Sequence, residues 1–151
     1  MGISLSEDEA WDFIAQSHTG ILTTLRRDGT PISLPLWFAA FDRAVWFQTP
    51  NRSMKVRRVA CDPRACFLVE SGEAWRELKA VMAIGTTAIV EDDDARARAG
   101  EAISRKYATF RPDLGKAPEA TRKHYGGGTA TLRFTPERFV SWDNARIRFR
   151  G

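Results

Sequence analysis

Gln48-Thr49-Pro50-Asn51-Arg52-Ser53-Met54-Lys55-Val56-Arg57-Arg58 contains the end of an apolar run, a short loop and the start of a basic helix. A helix start leaves backbone N–H groups without intrahelical partners and carries the positive end of the helix dipole. An anion seated there gains hydrogen bonds and field together. Thr49 and Ser53 add hydroxyls. Lys55 stands in the first turn, where a cation opposes the dipole unless something negative sits in front of it. From this stretch alone two readings are open: a phosphate seat, or a solvated basic helix with Ser53 or Asn51 as an ordinary N-cap.

Upstream, the pattern is strand-like. Residues 44–49 form a strand with Val45 and Phe47 on one face and Trp46 and Gln48 on the other. Residues 20–25 are β-rich but alternate poorly, and Arg27-Asp28-Gly29-Thr30 predicts a hairpin into a second strand. In that strand Ile32, Leu34, Leu36 and Phe38 point one way, and Ser33, Pro35 and Trp37 the other. Pro35 has no N–H for a ladder, so its part of the strand is an edge or a place where something other than a strand lies alongside. Before all of this, Ser6-Glu7-Asp8-Glu9 is a capping box with Leu5 and Ala10 as its staple. It opens a helix to about residue 16 with Trp11, Ile14 and Ala15 facing inward.

Downstream, Val56, Val59 and Ala60 face the core while Lys55 and Arg58 share another face, and Asp62-Pro63 stops the helix. Residues 64–70 read as a strand apolar on both faces, and 77–91 as a long strand that Gly85 lets bend or bulge. Long bent strands suit a barrel. Glu91-Asp92-Asp93-Asp94 caps a helix whose stripe is Ala95, Ala99, Ala102, Ile103, Tyr107 and Phe110. Residues 111–119 read as a loop and Gly126-Gly127-Gly128 as a turn. Strands follow over 129–134 and 138–142, split at Thr135-Pro136. Arg146, Arg148 and Arg150 fall on one side of an extended tail.

At 151 residues and 43% hydrophobic content the chain fits one domain, 1–151, with a real core. No apolar run approaches the roughly 18 residues of a membrane span. Met1-Gly2-Ile3 followed by acids is no signal peptide, so a soluble cytoplasmic protein is expected. Cys61 and Cys66 match no zinc or redox spacing and read as core thiols. The net charge of +4 points to an anionic partner: nucleic acid, lipid surface or phosphorylated cofactor. His18 and His124 show no spacing to a carboxylate or to each other that makes a metal site or a triad. What remains is a phosphate-friendly helix start, a proline-marked strand edge and five tryptophans. A flat aromatic cofactor with a phosphate tail would use all three.

Together, Gly20-Ile-Leu-Thr-Thr-Leu-Arg-Arg-Asp-Gly-Thr-Pro, Leu34-Pro-Leu-Trp-Phe, Val45-Trp-Phe-Gln-Thr-Pro, Ser53-Met-Lys-Val-Arg-Arg and Asp62-Pro-Arg resemble the pyridoxamine-phosphate-oxidase-like flavin and deazaflavin oxidoreductases. The similarity extends to the Gly85 strand and Phe139-Val-Ser-Trp-Asp. The resemblance implies a mainly β (α+β) fold: an antiparallel split β-barrel of Greek-key type with flanking helices. It also implies a homodimer with two cofactor sites at the subunit interface. In the family the ring lies along the strand matching Pro35, Leu36 and Trp37, and the phosphate sits at the positions matching Thr49, Ser53 and Lys55. Arg58 is an extra contact, and Trp75, Arg76 and Trp142 are candidates for what the second subunit brings. True pyridoxamine-phosphate oxidases carry a longer C-terminal segment for substrate, whereas this sequence stops at Gly151, which argues against pyridoxamine phosphate as substrate.

Two cofactors compete. FMN has one phosphate, whereas the deazaflavin coenzyme F420 adds carboxylates that favour surplus cations, and Arg52, Arg57 and the tail arginines tilt toward deazaflavin. The expected chemistry is hydride transfer to a small, electron-poor conjugated substrate. No general acid is assigned, since nothing in the spacing chooses among Tyr107, Tyr125 and His124. One rival keeps the fold as a cofactor carrier without turnover. The other is a β-barrel holding single-stranded nucleic acid on exposed tryptophans and a basic strand face.

Overall fold

The computed structural model describes residues 2–150; Met1 and Gly151, which bear on the expectations about both chain ends, lie outside them. The first helix, α1 (Glu7–Gln16), begins as its sequence dictates: Glu9 N–H donates to Ser6 Oγ, and the Glu9 carboxylate accepts from the Ser6 N–H. Ala10 and Ile14 are its buried positions, with Leu5 and Trp11 against the same core. Ala15, expected inside, is exposed, because the i, i+4 line through Ala10 and Ile14 sets the buried face and Ala15 lies past it.

Seven strands follow: β1 (Gly20–Leu25), β2 (Pro31–Leu36), β3 (Ala39–Phe41), β4 (Ala44–Pro50), β5 (Arg64–Ser71), β6 (Lys79–Val90) and β7 (Thr129–Asp143). They form one antiparallel sheet in the order β2-β1-β5-β6-β7-β4-β3. β4 returns beside β7 instead of β5, so β4 to β7 make a Greek key. Leu36 from one edge of the sheet and Phe47 from near the other share one core with Leu22, Phe67 and Phe134. The sheet is therefore curled, a split β-barrel with helices at its flanks.

Three local devices shape the curl. Gly29, at φ 87°, closes the β1–β2 hairpin in the left-handed region that glycine adopts without strain. β2 is an edge strand, where Pro35 withholds no ladder bond. At the Ile84/Gly85 register shift, Ile84 pairs with Arg138 and Gly85 with Pro136, so Glu137 is the extra residue of a bulge. A Cβ on Gly85 would stand 2.0 Å from the Thr135 carbonyl oxygen. β7 thus runs unbroken through Thr135-Pro136, where two strands were expected: the bulge takes up the proline and pairing resumes beyond it.

The other helices are α2 (Met54–Cys61), α3 (Asp93–Lys106) and α4 (Glu119–Gly126). α2 buries Val59, half-buries Val56 and exposes Ala60, which was expected inside. α3 lays Ala99, Ile103 and the adjoining Tyr107 inward, but Phe110 lies beyond its end and is exposed. β3 and α4 have no counterpart in the sequence reading; both are short, and α4 buries nothing. The tail does not continue β7 as an extended strand, because Asn144–Arg146 turns in a 3-10 helix.

The two faces of the sheet differ. β1 alternates regularly, burying Gly20, Leu22 and Thr24, and β5 buries Ala65, Phe67 and Val69. The opposite face of β5 is half-exposed, so the reading of that strand as buried on both faces does not hold for the single chain. Across that outer face, Pro35, Ile21, Leu68, Met82 and Val140 are successive cross-strand partners, a continuous apolar row. Cys66 stands on the same face and Cys61 is exposed on α2, so neither is a core thiol.

Candidate functional site

α1 and α3 both have side-chain caps and acids in the first turn: Ser6 with Glu7, Asp8 and Glu9, and Asp92 with Asp93 and Asp94. α2 has neither. Ser53 occupies its N-cap position in extended geometry without a side-chain cap bond, and no acid stands in the first turn. The Ser53 hydroxyl is instead turned to β4, accepting from Thr49 Oγ1 at 3.2 Å. That leaves the Ser53 proton and the first α2 N–H groups available to an acceptor. Lys55 makes no hydrogen bond or ion pair among the described residues. Burial, and secondly repulsion by Arg58, hold its ammonium below the usual lysine range. An anion in front of α2 would relieve both causes.

A cavity of about 220 Å³ opens at this point. It is lined by the apolar Leu36, Phe47 and Leu132, by Gln48, Thr49, Pro50, Ser53 and Lys55 of the β4–α2 turn, and by His124 and Tyr125 of α4. The curl of the sheet creates it by carrying Leu36 of β2 to the β4–α2 turn. Arg58 is not in the lining. Its Nε donates to Thr24 Oγ1 at 2.8 Å, so it serves a buried threonine of β1 from beside the cavity. Burial, and then repulsion by Arg26, lower its pKa from the usual arginine value.

Pro35 faces outward, away from the cavity that its neighbour Leu36 enters. The Trp37 ring is stacked on Tyr107, with centroids 4.4 Å apart and planes 3° from parallel. Trp75 and Arg76 gather elsewhere, around Phe149 of the tail, at 6.2 Å and 4.7 Å. Trp142 pairs with Ala80 and lies on the outer sheet face, 36% exposed. Leu36, Thr49, Ser53 and Lys55 are thus brought together, while Pro35, Trp37, Arg58, Trp75, Arg76 and Trp142 are placed around or away from the cavity. His124 and Tyr125 enter only with α4. Pro118 before it and the glycines at 126–128, which end it, are the start and stop signals that could have revealed the helix.

A larger cavity of about 800 Å³ lies between the chain ends, lined by Glu9, Arg146 and Arg148 among others. Its Glu9 and Arg146 are committed to each other at 2.7 Å. We place the candidate site at the smaller cavity, where cation and hydroxyls have no such partners. Among the described residues no group of His, Cys, Asp and Glu is arranged to hold a metal, and no helix is long and apolar enough to cross a membrane.

Comparisons with known proteins bear on this arrangement. The family model described as pyridoxamine 5'-phosphate oxidase matches residues 6–143. No curated protein matches the sequence. The structure is similar to that of a conserved hypothetical protein of Mycobacterium tuberculosis, with 30% identity, a TM-score of 0.79 and 99% of this chain and 94% of that one covered. It is also similar to a FAD-binding protein of Mesorhizobium loti, at 20% identity, TM-score 0.70 and coverage of 91% and 94%. A heme storage protein of Vibrio cholerae shares the fold at 16% identity, TM-score 0.63 and coverage of 94% and 96%.

Proposed function

The chain belongs to the pyridoxamine 5'-phosphate oxidase family, and from that premise we propose that it binds a phosphate-bearing flavin or deazaflavin, FMN or F420, and acts as an oxidoreductase on a small conjugated substrate. The observation that carries the reading is Lys55: a half-buried cation lining one cavity with two hydroxyls, at a helix start with no side-chain cap and, among the described residues, no counterion. Thr49, Ser53 and Lys55 would hold the phosphate. At about 220 Å³ the cavity is smaller than the roughly 300–1,000 Å³ of pockets that enclose a drug-sized ligand. It therefore fits one end of the cofactor, and Leu36 with the strand edge at Pro35 and Trp37 would hold the ring. Bound there, either cofactor supplies hydride chemistry, and the chain supplies anchorage, orientation and apolar walls.

A homodimer is part of this reading. The row Pro35, Ile21, Leu68, Met82 and Val140 is an apolar sheet face that the described residues leave half-exposed to exposed, and Trp142 stands on the same face. A second copy would cover it and complete the ring site, with Trp75, Arg76 and Trp142 as its contributions.

For the choice of cofactor, Arg146 no longer counts toward surplus charge, because it is paired with Glu9 and Asp143. Arg52 and Arg57 remain exposed and without ion pairs among the described residues, and they support F420. The nucleic-acid reading is left with only Trp75 and Trp142 exposed among the described residues: Trp11 packs edge-on against Phe139, while Trp37 lies parallel on Tyr107 and Trp46 on Phe41. A carrier without turnover would use the same contacts, so binding is the step to test.

The test is a titration of the purified protein with FMN, F420, heme and an oligonucleotide, followed by tryptophan quenching, with light scattering on the same sample. Micromolar or tighter binding of FMN or F420 to a dimer is expected. Indifference to both alongside tight binding of heme, or salt-sensitive binding of the oligonucleotide, overturns the reading. A monomeric mass removes the interfacial site.

A further inference from the structure

α4 is poorly explained as a structural element. A helix of this length is marginal in water without tertiary packing, yet α4 buries no residue, and Tyr125 is 55% exposed although it lines the cavity. His124 and Tyr125 touch each other edge-on at 4.9 Å and have no hydrogen bonds among the described residues. The chain is anchored just past the C-terminal end of the helix, the end that carries His124 and Tyr125. Asn51 N–H, in the turn before α2, donates to the Gly128 carbonyl at 3.1 Å, and Gly128 holds φ 92°. Gly126 and Gly127 separate that anchor from the aromatic pair. A chain with this freedom lets α4 swing about a point fixed to the seat itself.

Resting on the phosphate reading above, we infer that α4 is the closing jaw of the site. His124 would donate to the same phosphate that Lys55 holds, and Tyr125 would cover the chain that leads from the phosphate toward the ring. The arrangement explains why an imidazole and a phenol with no hydrogen bonds among the described residues line the same cavity as Lys55, Ser53 and Thr49. It also names the ligand feature selected here: a phosphate ester joined to a slender chain, since the cavity admits no bulk beside it.

Arg122 and Lys123 are exposed on α4 and make it cleavable by trypsin next to His124. Wild type, Lys55→Ala, His124→Ala and Tyr125→Ala are titrated with FMN and with F420, and tryptic cleavage after Arg122 and Lys123 is timed with and without each cofactor. For whichever cofactor wild type binds, His124→Ala is expected to weaken binding roughly 10- to 100-fold, the loss of one hydrogen bond to a charged group. Tyr125→Ala weakens it less. Saturating cofactor slows cleavage of wild-type α4 and fails to slow it in His124→Ala. If Lys55→Ala loses affinity while His124→Ala binds like wild type, or if α4 is cut equally fast with cofactor, the seat stands and the jaw is overturned. If wild type binds neither cofactor, the reading of the cavity fails and this inference fails with it. Unchanged melting temperatures confirm that each variant is folded.

Discussion

Two clusters in this molecule are built from the same three residue types, a lysine, a tyrosine and a histidine. At the end of α3, Lys106 donates to the Ser17 carbonyl at 2.7 Å and sits 3.7 Å from the centroid of Phe38. The Tyr107 hydroxyl accepts from the Phe38 N–H at 3.0 Å and stands 2.7 Å from the His18 carbonyl. His18 packs edge-on against Trp37, Tyr107 and Phe110. Burial pulls the Lys106 pKa down to about 8, yet its ammonium already has a partner. Across the cavity between α2 and α4, Lys55, Tyr125 and His124 have no such bonds. The first cluster ties the end of α3 to the α1–β1 and β2–β3 connections; the second lines the cavity. Residue type did not separate the roles. Internal satisfaction does: Lys106 and Tyr107 have spent their bonds within the fold, whereas Lys55, His124 and Tyr125 make none among the described residues and are left to solvent or, on the reading proposed above, to a ligand.

The sharpest way to break the comparison is to truncate both tyrosines. Tyr107→Ala removes a fully buried ring and strands the Phe38 N–H and His18 carbonyl, so a loss of about 3–5 kcal/mol is expected, as for other large buried aromatics. Tyr125→Ala should stay within about 0.5 kcal/mol, as exposed positions do. Urea unfolding of both variants decides it, and similar losses would mean that α4 is part of the core.

Lys55→Ala tests the open cluster by function. Cofactor binding should weaken roughly 10- to 100-fold, the worth of one hydrogen bond to a charged group. Stability should hold or rise by a few tenths of a kcal/mol, because a cation no longer opposes the α2 dipole. Titration beside a melting curve checks both. Wild-type affinity, or early melting without cofactor, would show Lys55 to be a structural residue and the seat misplaced.

What the sequence made legible was chemistry that acts over a few residues. The Ser6–Glu9 box, the Gly29 hairpin, the Pro35 edge and the Gly85 bulge each follow from what one residue's backbone can do, and each stands where it was expected. Thr49, Ser53 and Lys55 were legible for the same reason, as neighbours across one strand-to-helix turn. Leu36 joined them only through family resemblance, because barrel curvature comes from many residues at once. The errors share a cause. Ala15, Ala60 and Cys61 are apolar enough for a core but lie off the buried line of their helices. Residues 64–70 looked two-sided because the outer face carries apolar residues that one chain leaves uncovered. α4 went unseen because its pattern has no core-facing stripe, which is also why it reads here as a ligand-facing element.

The smallest predicted effect concerns a cation whose bonds are spent at the surface. Arg146 looked in sequence like part of a basic tail, yet its guanidinium holds Glu9 at 2.7 Å and the Ser4 carbonyl at 2.9 Å. Arg146, then the Ser6 N–H, draw the Glu9 pKa down to about 2. A carboxylate held lower in the folded than in the unfolded chain contributes stability at pH values above the ordinary glutamate range. That contribution fades as pH falls through that range toward 2, because there the unfolded chain binds the proton first. Glu9→Gln removes the titrating group. The variant should therefore be slightly less stable than wild type at pH 7, and the difference should shrink as both are acidified toward pH 2. Melting temperatures at pH 7, 5, 4, 3 and 2 measure it. Because both side chains are exposed, added salt should narrow the gap at pH 7 as well. Curves that stay parallel down to pH 2 would mean that the pair is not formed in solution, leaving Arg146 as uncommitted as Arg52 and Arg57 and restoring its weight in the choice between FMN and F420.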